Sequence, residues 1–122
     1  MTRRRTLLAT PLLLAPAAAG AQGAWPDRPI RFVVPTAGGA GTADTLSRIV
    51  AQEVEQRVGQ RVLIENRPGA NGNVGAAHVA RSAPDGTSFL WGWAGTLATN
   101  VTLYASLPFD PVRDFDPVVL VG

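Results

Sequence analysis

Residues 33–48 read VVPTAGGAGTADTLSR, and this stretch decides the fold. A short apolar run ends at Pro35, three glycines follow, and a helical pattern begins near Thr42. Glycine permits positive φ angles and close backbone approach, and a helix N-terminus directs free N–H groups outward. The stretch therefore predicts a strand, a turn suited to holding an anion, and a helix capped by Thr42. Alternatively, the glycines only form a tight connection between the strand and the helix.

The hydrophobic pattern continues outward from this stretch. Ile30–Val34 is a β-branched apolar run that predicts a buried strand, and apolar residues then recur at helical spacing up to Gly59, a typical helix stop. The other predicted elements are a strand at 61–65, a helix capped by Asn73 and ended by Pro84, a strand at 87–93, a short helix at 97–104 and a strand at 118–121.

The predicted order, β-α-β-α-β-(α)-β, indicates an α/β fold with a parallel sheet and helices on both faces. In such sheets, ligands bind beyond the carboxyl ends of the strands. Loops containing glycine follow the first three predicted strands. We therefore expect these three loops to form one site.

Known nucleotide, metal and hydrolase motifs do not fit the chain. Residues 39–41 are followed by Asp44 where a dinucleotide-binding motif requires glycine, and the chain has no lysine for a P-loop. Without cysteine, and with His78 as the one histidine, we expect neither a metal nor another cofactor. We interpret His78 as an exposed helix residue. Ser47 and Ser88 lack the G-x-S-x-G context of a nucleophilic serine.

The first 21 residues have the pattern of a secretory signal peptide. MTRRR is followed by the apolar run TLLATPLLLAPAAA and by AGA before the predicted cleavage site. This run is shorter than the about 20 apolar residues of a membrane-spanning helix, so we expect no stable membrane anchor after cleavage. The arginines fit both the general and the twin-arginine routes. The pattern predicts a periplasmic protein.

Cleavage also changes the charge of the chain. The whole chain has a formal net charge of +2, from 11 basic and 9 acidic residues. Because three of the 11 arginines lie in the signal peptide, the mature chain has eight arginines against 9 acidic residues, or about −1. The charge therefore does not indicate nucleic-acid binding.

Several motifs in one order resemble a known receptor family. WPDRPIRFVVP, the glycine-rich turn, GQRVLIENRPGANGNVGAAHVARSAPDGTSFLWG and LYASLPFDPVRDFDPV together resemble the start of the Bug-type substrate-binding receptors of tripartite tricarboxylate transporters. The resemblance implies part of the first lobe (residues 22–122) of a two-lobed, type II periplasmic-binding-protein fold, without the second lobe. The chain also ends in a predicted strand without a following cap, so we expect a truncated chain.

The resemblance also implies a function and a set of site residues. It implies capture of a small organic carboxylate by backbone amides and hydroxyls, together with membrane components of a tripartite transporter as partners. The corresponding loops are residues 35–44, 69–75 and 94–99. The candidate ligand-binding residues are Ala37, Gly38, Gly39, Ala40, Gly41, Thr42, Asp44, Asn71, Gly72, Asn73, Gly95 and Thr96. The first loop departs from the family, since Thr36 stands where an aromatic residue is frequent.

Two other hypotheses remain open at this point. A Rossmann-like enzyme is supported only by the element order and the glycine loops, and a fold does not determine a function. The second hypothesis is a fragment without function, because half of a binding cleft would cover only part of a ligand. We expect a receptor and not an enzyme.

Overall fold

The computed structural model describes residues 23–39 and 41–121, so the predicted signal peptide (residues 1–21) and Ala40 lie outside the described residues. Its elements are the strands β1 (Ile30–Val34), β2 (Val62–Asn66) and β3 (Ser88–Leu90) and the helices α1 (Gly41–Val58), α2 (Asn73–Ala80) and α3 (Asn100–Leu103). A 3-10 turn (Ala70–Gly72) precedes α2, and a wide π-type turn (Gly95–Thr99) precedes α3.

The three strands form one parallel sheet in the order β2-β1-β3. Ile30 of β1 lies opposite Val62 of β2, and Arg31 lies opposite Ser88 of β3. The predicted α/β fold with a parallel sheet is therefore confirmed. Because the strands are parallel, their carboxyl ends share one edge of the sheet. Loop 1 (residues 35–40), loop 2 (residues 67–72) and loop 3 (residues 91–99) begin at this edge.

Helices cover both faces of the sheet. One buried cluster contains Ile30 and Phe32, and the apolar side of α1 packs against it. A second cluster contains Ala76 and Ala77 of α2. Consecutive strand residues alternate between faces, and Phe89 packs against the first cluster whereas Leu90 packs against the second. The two hydrophobic clusters thus hold β1 between α1 and α2.

Both predicted helix caps are wrong. The first helix begins at Gly41, so Thr42 lies in its first turn. The cap of α2 is Gly72, which has a φ of 89° and makes no side-chain capping bond, and Asn73 is the first helical residue. The side chain of Asn73 instead accepts a hydrogen bond from Asn100, a partner 27 residues along the chain. The hydrogen bond with Asn100 thus takes the place of the predicted capping bond of Asn73.

The third and fourth strands also differ from the prediction. Only Ser88–Leu90 of the predicted strand 87–93 is regular, because its partner β1 ends at Val34 and the next residue, Pro35, has no N–H to donate. The fourth strand, 118–121, is absent from the described residues. Its side chains are exposed, Leu120 by 90%, and a strand cannot form without a neighbouring strand to bond. The predicted helix 97–104 is divided between the π-type turn and α3.

His78 is not the exposed residue that the sequence predicts. Its side chain is 29% exposed, and its Nε2 is shielded from solvent, has no hydrogen-bond partner among the described residues and lies 3.9 Å from the Glu65 carboxylate. Burial lowers the pKa of His78 below its usual 6.5, the positive charge of Arg67 lowers it further, and Glu65 partly offsets both. The structure therefore favours neutral His78 near pH 7.

Acidification from pH 7 to pH 5 is expected to destabilise the chain through His78. Since the folded-state pKa is lowered, the contribution of His78 to stability is complete above pH 6.5 and is lost as the pH falls through the folded-state pKa. Urea unfolding at several pH values, compared with His78→Gln, measures this. We expect the variant to lose less stability than the natural chain over this interval, and parallel curves would contradict the prediction.

None of the helices within 23–39 and 41–121 combines the length and the apolar character needed to cross a membrane.

Candidate functional site

Loop 1 is anchored by the buried carboxylate of Asp44, which is 2% exposed. Asp44 Oδ2 accepts hydrogen bonds from Gly39 N at 3.0 Å and Arg48 Nε at 2.8 Å. Asp44 Oδ1 accepts from Asn66 Nδ2 at 2.8 Å and Arg48 Nη2 at 3.2 Å. These bonds, first those of Arg48 and then that of Asn66, lower the pKa of Asp44 to about 2. Asp44 is therefore ionised, and hydrogen bonds from the protein replace those that water would make to its charge.

This arrangement gives Asp44 a bracing role. A carboxylate that already accepts four hydrogen bonds from its own protein has little capacity left to bind a ligand. Its negative charge would also repel an anionic ligand. It ties the turn at Gly39 to the first turn of α1 and to the end of β2. The role of Asp44 in this geometry is to hold loop 1 in place against α1 and β2.

Sequence reasoning missed Asn66 and Arg48. Asn66 is the last residue of β2, and a Cβ added to Gly38 would lie 3.1 Å from its Oδ1, so the side chain also touches loop 1. Arg48 is 53% exposed, and its charge is paired with Asp44. An asparagine at the carboxyl end of a parallel strand was a usable signal for Asn66, whereas its partner 22 residues away was not predictable.

Loop 2 is held in an unusual backbone conformation. Four consecutive residues have positive φ angles: 130° at Gly69, 47° at Ala70, 53° at Asn71 and 89° at Gly72. Residues with a Cβ rarely adopt this region, which costs roughly 1–2 kcal/mol per residue. Such strain persists only where surrounding contacts impose it, and it concentrates at binding sites.

The three loops meet at Pro35, Gly72 and Thr96. A Cβ added to Gly72 would lie 2.2 Å from Thr96 Oγ1 and 3.3 Å from Pro35 Cβ, so loop 2 passes between loops 1 and 3 with no space to spare. Thr96 is fully buried, and its hydroxyl donates to the backbone carbonyl of Asn71 at 2.9 Å. These contacts bring the three loops together at one edge of the sheet; that they form one binding site stays a prediction.

Asn100 also belongs to this junction and was not predicted. It is fully buried, and its amide bonds both Asn71 and Asn73 of the loop 2 region. Asn100 begins an Asn-Val-Thr sequence that matches the glycosylation pattern, but its burial excludes modification of the folded chain. No short-range sequence signal distinguishes such a buried amide from an exposed one.

The candidate residues therefore fall into two groups. Asp44, Asn73 and Thr96 are buried and brace the loops, and Gly72 is buried between them. The second group is exposed and consists of Ala37, Gly38, Gly39, Gly41, Thr42 and Asn71. Gly95 is partly buried and adjoins the Trp93 indole. Ala40 lies outside the described residues.

The chemistry of this surface suits an anion bound without a strong cation. The nearby guanidinium of Arg48 is already paired, and two helices, α1 and α2, begin at the site with their positive dipole ends. Across residues 23–39 and 41–121, no group of three acidic or histidine residues is arranged to hold a metal ion. A groove of about 560 Å³, lined by residues such as Leu97 and Phe109, lies beside α3. It is shallow and contains none of the loop 1 residues.

Comparison with known proteins places the chain in a family. A family model described as "Tripartite tricarboxylate transporter family receptor" matches residues 46–122. The chain belongs to this receptor family. The resemblance carried by the sequence motifs is thereby confirmed, and the family is one of solute-binding receptors and not of enzymes.

Individual relatives of the receptor family are similar over most of this chain. A UPF0065 protein of Bordetella bronchiseptica is 40% identical over 118 residues, which are 96% of this chain and 35% of the relative. The malate-bound structure of MatC from Rhodopseudomonas palustris has a TM-score of 0.72 and 40% identity, covering 77% of this chain and 32% of MatC. The R. palustris protein Rpa4515 with adipate has a TM-score of 0.68 and 40% identity, covering 72% and 29%. The chain thus spans about a third of the length of these relatives.

Proposed function

We propose that this chain is a periplasmic receptor element that captures a small organic carboxylate on the surface formed by loops 1, 2 and 3. The observation that carries the proposal is the junction of Pro35, Gly72 and Thr96, which brings three loops and two helix N-termini to one edge of the sheet in a chain of this family. Backbone N–H groups at helix N-termini bind carboxylates without a lysine or arginine.

The relatives support a carboxylate as the ligand. One structural neighbour holds malate and another holds adipate, and each is 40% identical to this chain. We propose that the bound solute is passed to the membrane components of a tripartite transporter, as the family description implies. Residues 22–122 would form part of the first lobe of a two-lobed receptor.

Titration of a ligand panel into the 15N-labelled chain tests this function. We expect malate, adipate and other carboxylates to shift the amide signals of loops 1 and 2, and glucose and AMP to leave them unchanged. Because one lobe covers only part of a ligand, whereas ligand sites normally bury about 70–90% of it, we expect weak affinity. Submicromolar binding would contradict the single-lobe arrangement, and a response only to glucose or AMP would contradict the carboxylate function.

The proposed periplasmic location also predicts the mature N-terminus. Cleavage after residue 21 should leave Gln22 as the first residue, by either the general or the twin-arginine route. N-terminal sequencing of the chain recovered from the periplasm measures this directly. Recovery of folded chain that still begins with Met1 would contradict export by cleavage.

A further inference from the structure

The side chain of Asn100 makes three hydrogen bonds, two with Asn71 of loop 2 and one with Asn73 of α2. Its Nδ2 donates to the backbone carbonyl of Asn71 at 3.1 Å and to Oδ1 of Asn73 at 2.7 Å. Its Oδ1 accepts from Nδ2 of Asn71 at 2.7 Å. Both Nδ2 hydrogens are therefore used, and the residue is fully buried. An amide so placed has one orientation only.

This orientation fixes the amide of Asn71 as well. A backbone carbonyl can only accept, so the nitrogen of Asn100 must face Asn71 O and its oxygen must face the Asn71 side chain. The side chain of Asn71 consequently turns its nitrogen toward Asn100. Among the described residues, no hydrogen bond other than the one to Asn100 uses the side-chain amide of Asn71, which leaves its carbonyl oxygen and its second N–H hydrogen available, and Asn71 is exposed.

Asn100 also supports the left-handed backbone of Asn71. The φ and ψ angles of Asn71 are 53° and 40°, and its carbonyl accepts bonds from both Asn100 and Thr96. These two donors come from buried residues of loop 3 and α3, so the position of Asn71 does not depend on a bound ligand. Preorganised polar groups of this kind give a site its selectivity at low entropic cost.

An acceptor and a donor side by side match one class of carboxylate. A carboxylate next to a hydroxyl can accept from the free N–H of Asn71 while the hydroxyl donates to its Oδ1. A plain dicarboxylate can only accept, and it leaves Oδ1 facing an anion. We propose that Asn71, positioned by Asn100, is the specificity-determining residue of the site and favours 2-hydroxycarboxylates. This inference rests on the proposed carboxylate-binding function.

Malate and succinate differ only in the 2-hydroxyl and are the matched probes. We expect the chain to bind malate about two- to tenfold more tightly than succinate, the range that one neutral hydrogen bond provides. Asn100→Ala should bring the ratio of the two dissociation constants to about one. Thr102→Ala, an exposed change on the same helix, is the control and should keep the natural ratio.

Amide signals in 15N-labelled chain provide the readout, since they detect weak binding and also report the side-chain NH2 group of Asn71. If Asn100→Ala does not fold, Asn71→Ala removes the same outward-facing amide from an exposed position and should also abolish the preference. Equal binding of malate and succinate by the natural chain, or a preference retained in the variants, would overturn the inference.

Failure of the proposed carboxylate-binding function can be distinguished from failure of the inference about Asn71. If neither acid binds, the carboxylate function is wrong, and the Asn71 NH2 signal still tests the positioning by Asn100. Slow solvent exchange of that signal in the natural chain, made fast by Asn100→Ala, supports positioning. Unchanged exchange in the variant contradicts it.

Discussion

Replacing Gly72 with alanine is expected to destabilise the chain more than the same change at any glycine with open space around it. The new Cβ would lie 2.2 Å from Thr96 Oγ1, and Thr96 is fully buried and bonded to Asn71, so it cannot move aside freely. The φ angle of 89° adds the cost of a left-handed residue with a Cβ. Overpacking of about 1–3 kcal/mol and backbone strain of about 1–2 kcal/mol together predict a loss of roughly 2–5 kcal/mol.

Gly59 supplies the matched control for this experiment. Its φ angle is 71°, and a Cβ there would meet nothing within 4 Å, so Gly59→Ala carries only the backbone strain. Urea unfolding of both variants separates the two costs. Thr96→Ala combined with Gly72→Ala removes the closest clashing atom and should cost less than the sum of the single changes. Equal losses at positions 59 and 72 would contradict the close approach of loops 2 and 3.

Replacing Asp44 with asparagine is expected to loosen loop 1 and to remove a pH dependence. The amide cannot accept from Gly39, Arg48 and Asn66 together, because one of its two ends carries hydrogens. In the natural chain the pKa of Asp44 is lowered to about 2 from 3.8. Its contribution to stability is therefore complete above pH 3.8 and is lost as the pH falls through about 2. We expect this loss to be missing from the variant.

The pair Glu53–Arg57 provides the control for Asp44. It lies on the same helix, has the same i,i+4 spacing and the same N–O distance of 2.8 Å, but its side chains are 57% and 76% exposed. Exposed pairs of this kind contribute only about 0.3–0.5 kcal/mol, so Glu53→Gln should have a small effect. Melting temperatures measured from pH 1.5 to pH 7 test both variants. The prediction fails if Asp44→Asn is no more destabilising than Glu53→Gln.

The Asp44 and Gly72 experiments bear on function through different loops. Loss of Asp44 frees loop 1 from β2, whereas a side chain at position 72 separates loop 2 from loop 3. If the three loops form one carboxylate site, either variant that still folds should weaken the response of the amide signals to malate. The control variants at positions 53 and 59 lie away from the three loops, so we expect them to leave the response to malate unchanged.

Local patterns in the sequence correctly predicted the strand β1, the helix α1 and a parallel sheet. Hydrophobic periodicity and glycine helix stops depend on only a few neighbouring residues. They placed the start of α1 within two residues of Gly41 and both ends of β2 within one residue. The same reasoning failed at 118–121, where an apolar run has no neighbouring strand in the described structure. It also failed at His78, whose exposure depends on Glu65 and Arg67, residues of another element.

The sequence by itself determined the α/β order, the glycine turns and the family of the chain, because these are carried by contiguous motifs and short periods. Only the tertiary structure decided which polar groups meet. Asn66 bonds to Asp44 across 22 residues and Asn100 bonds to Asn71 across 29, and both pairings arise where separate elements pack together at one edge of the sheet. A buried amide has no sequence period, since its partner is chosen by proximity in space and by the high cost of leaving it unbonded.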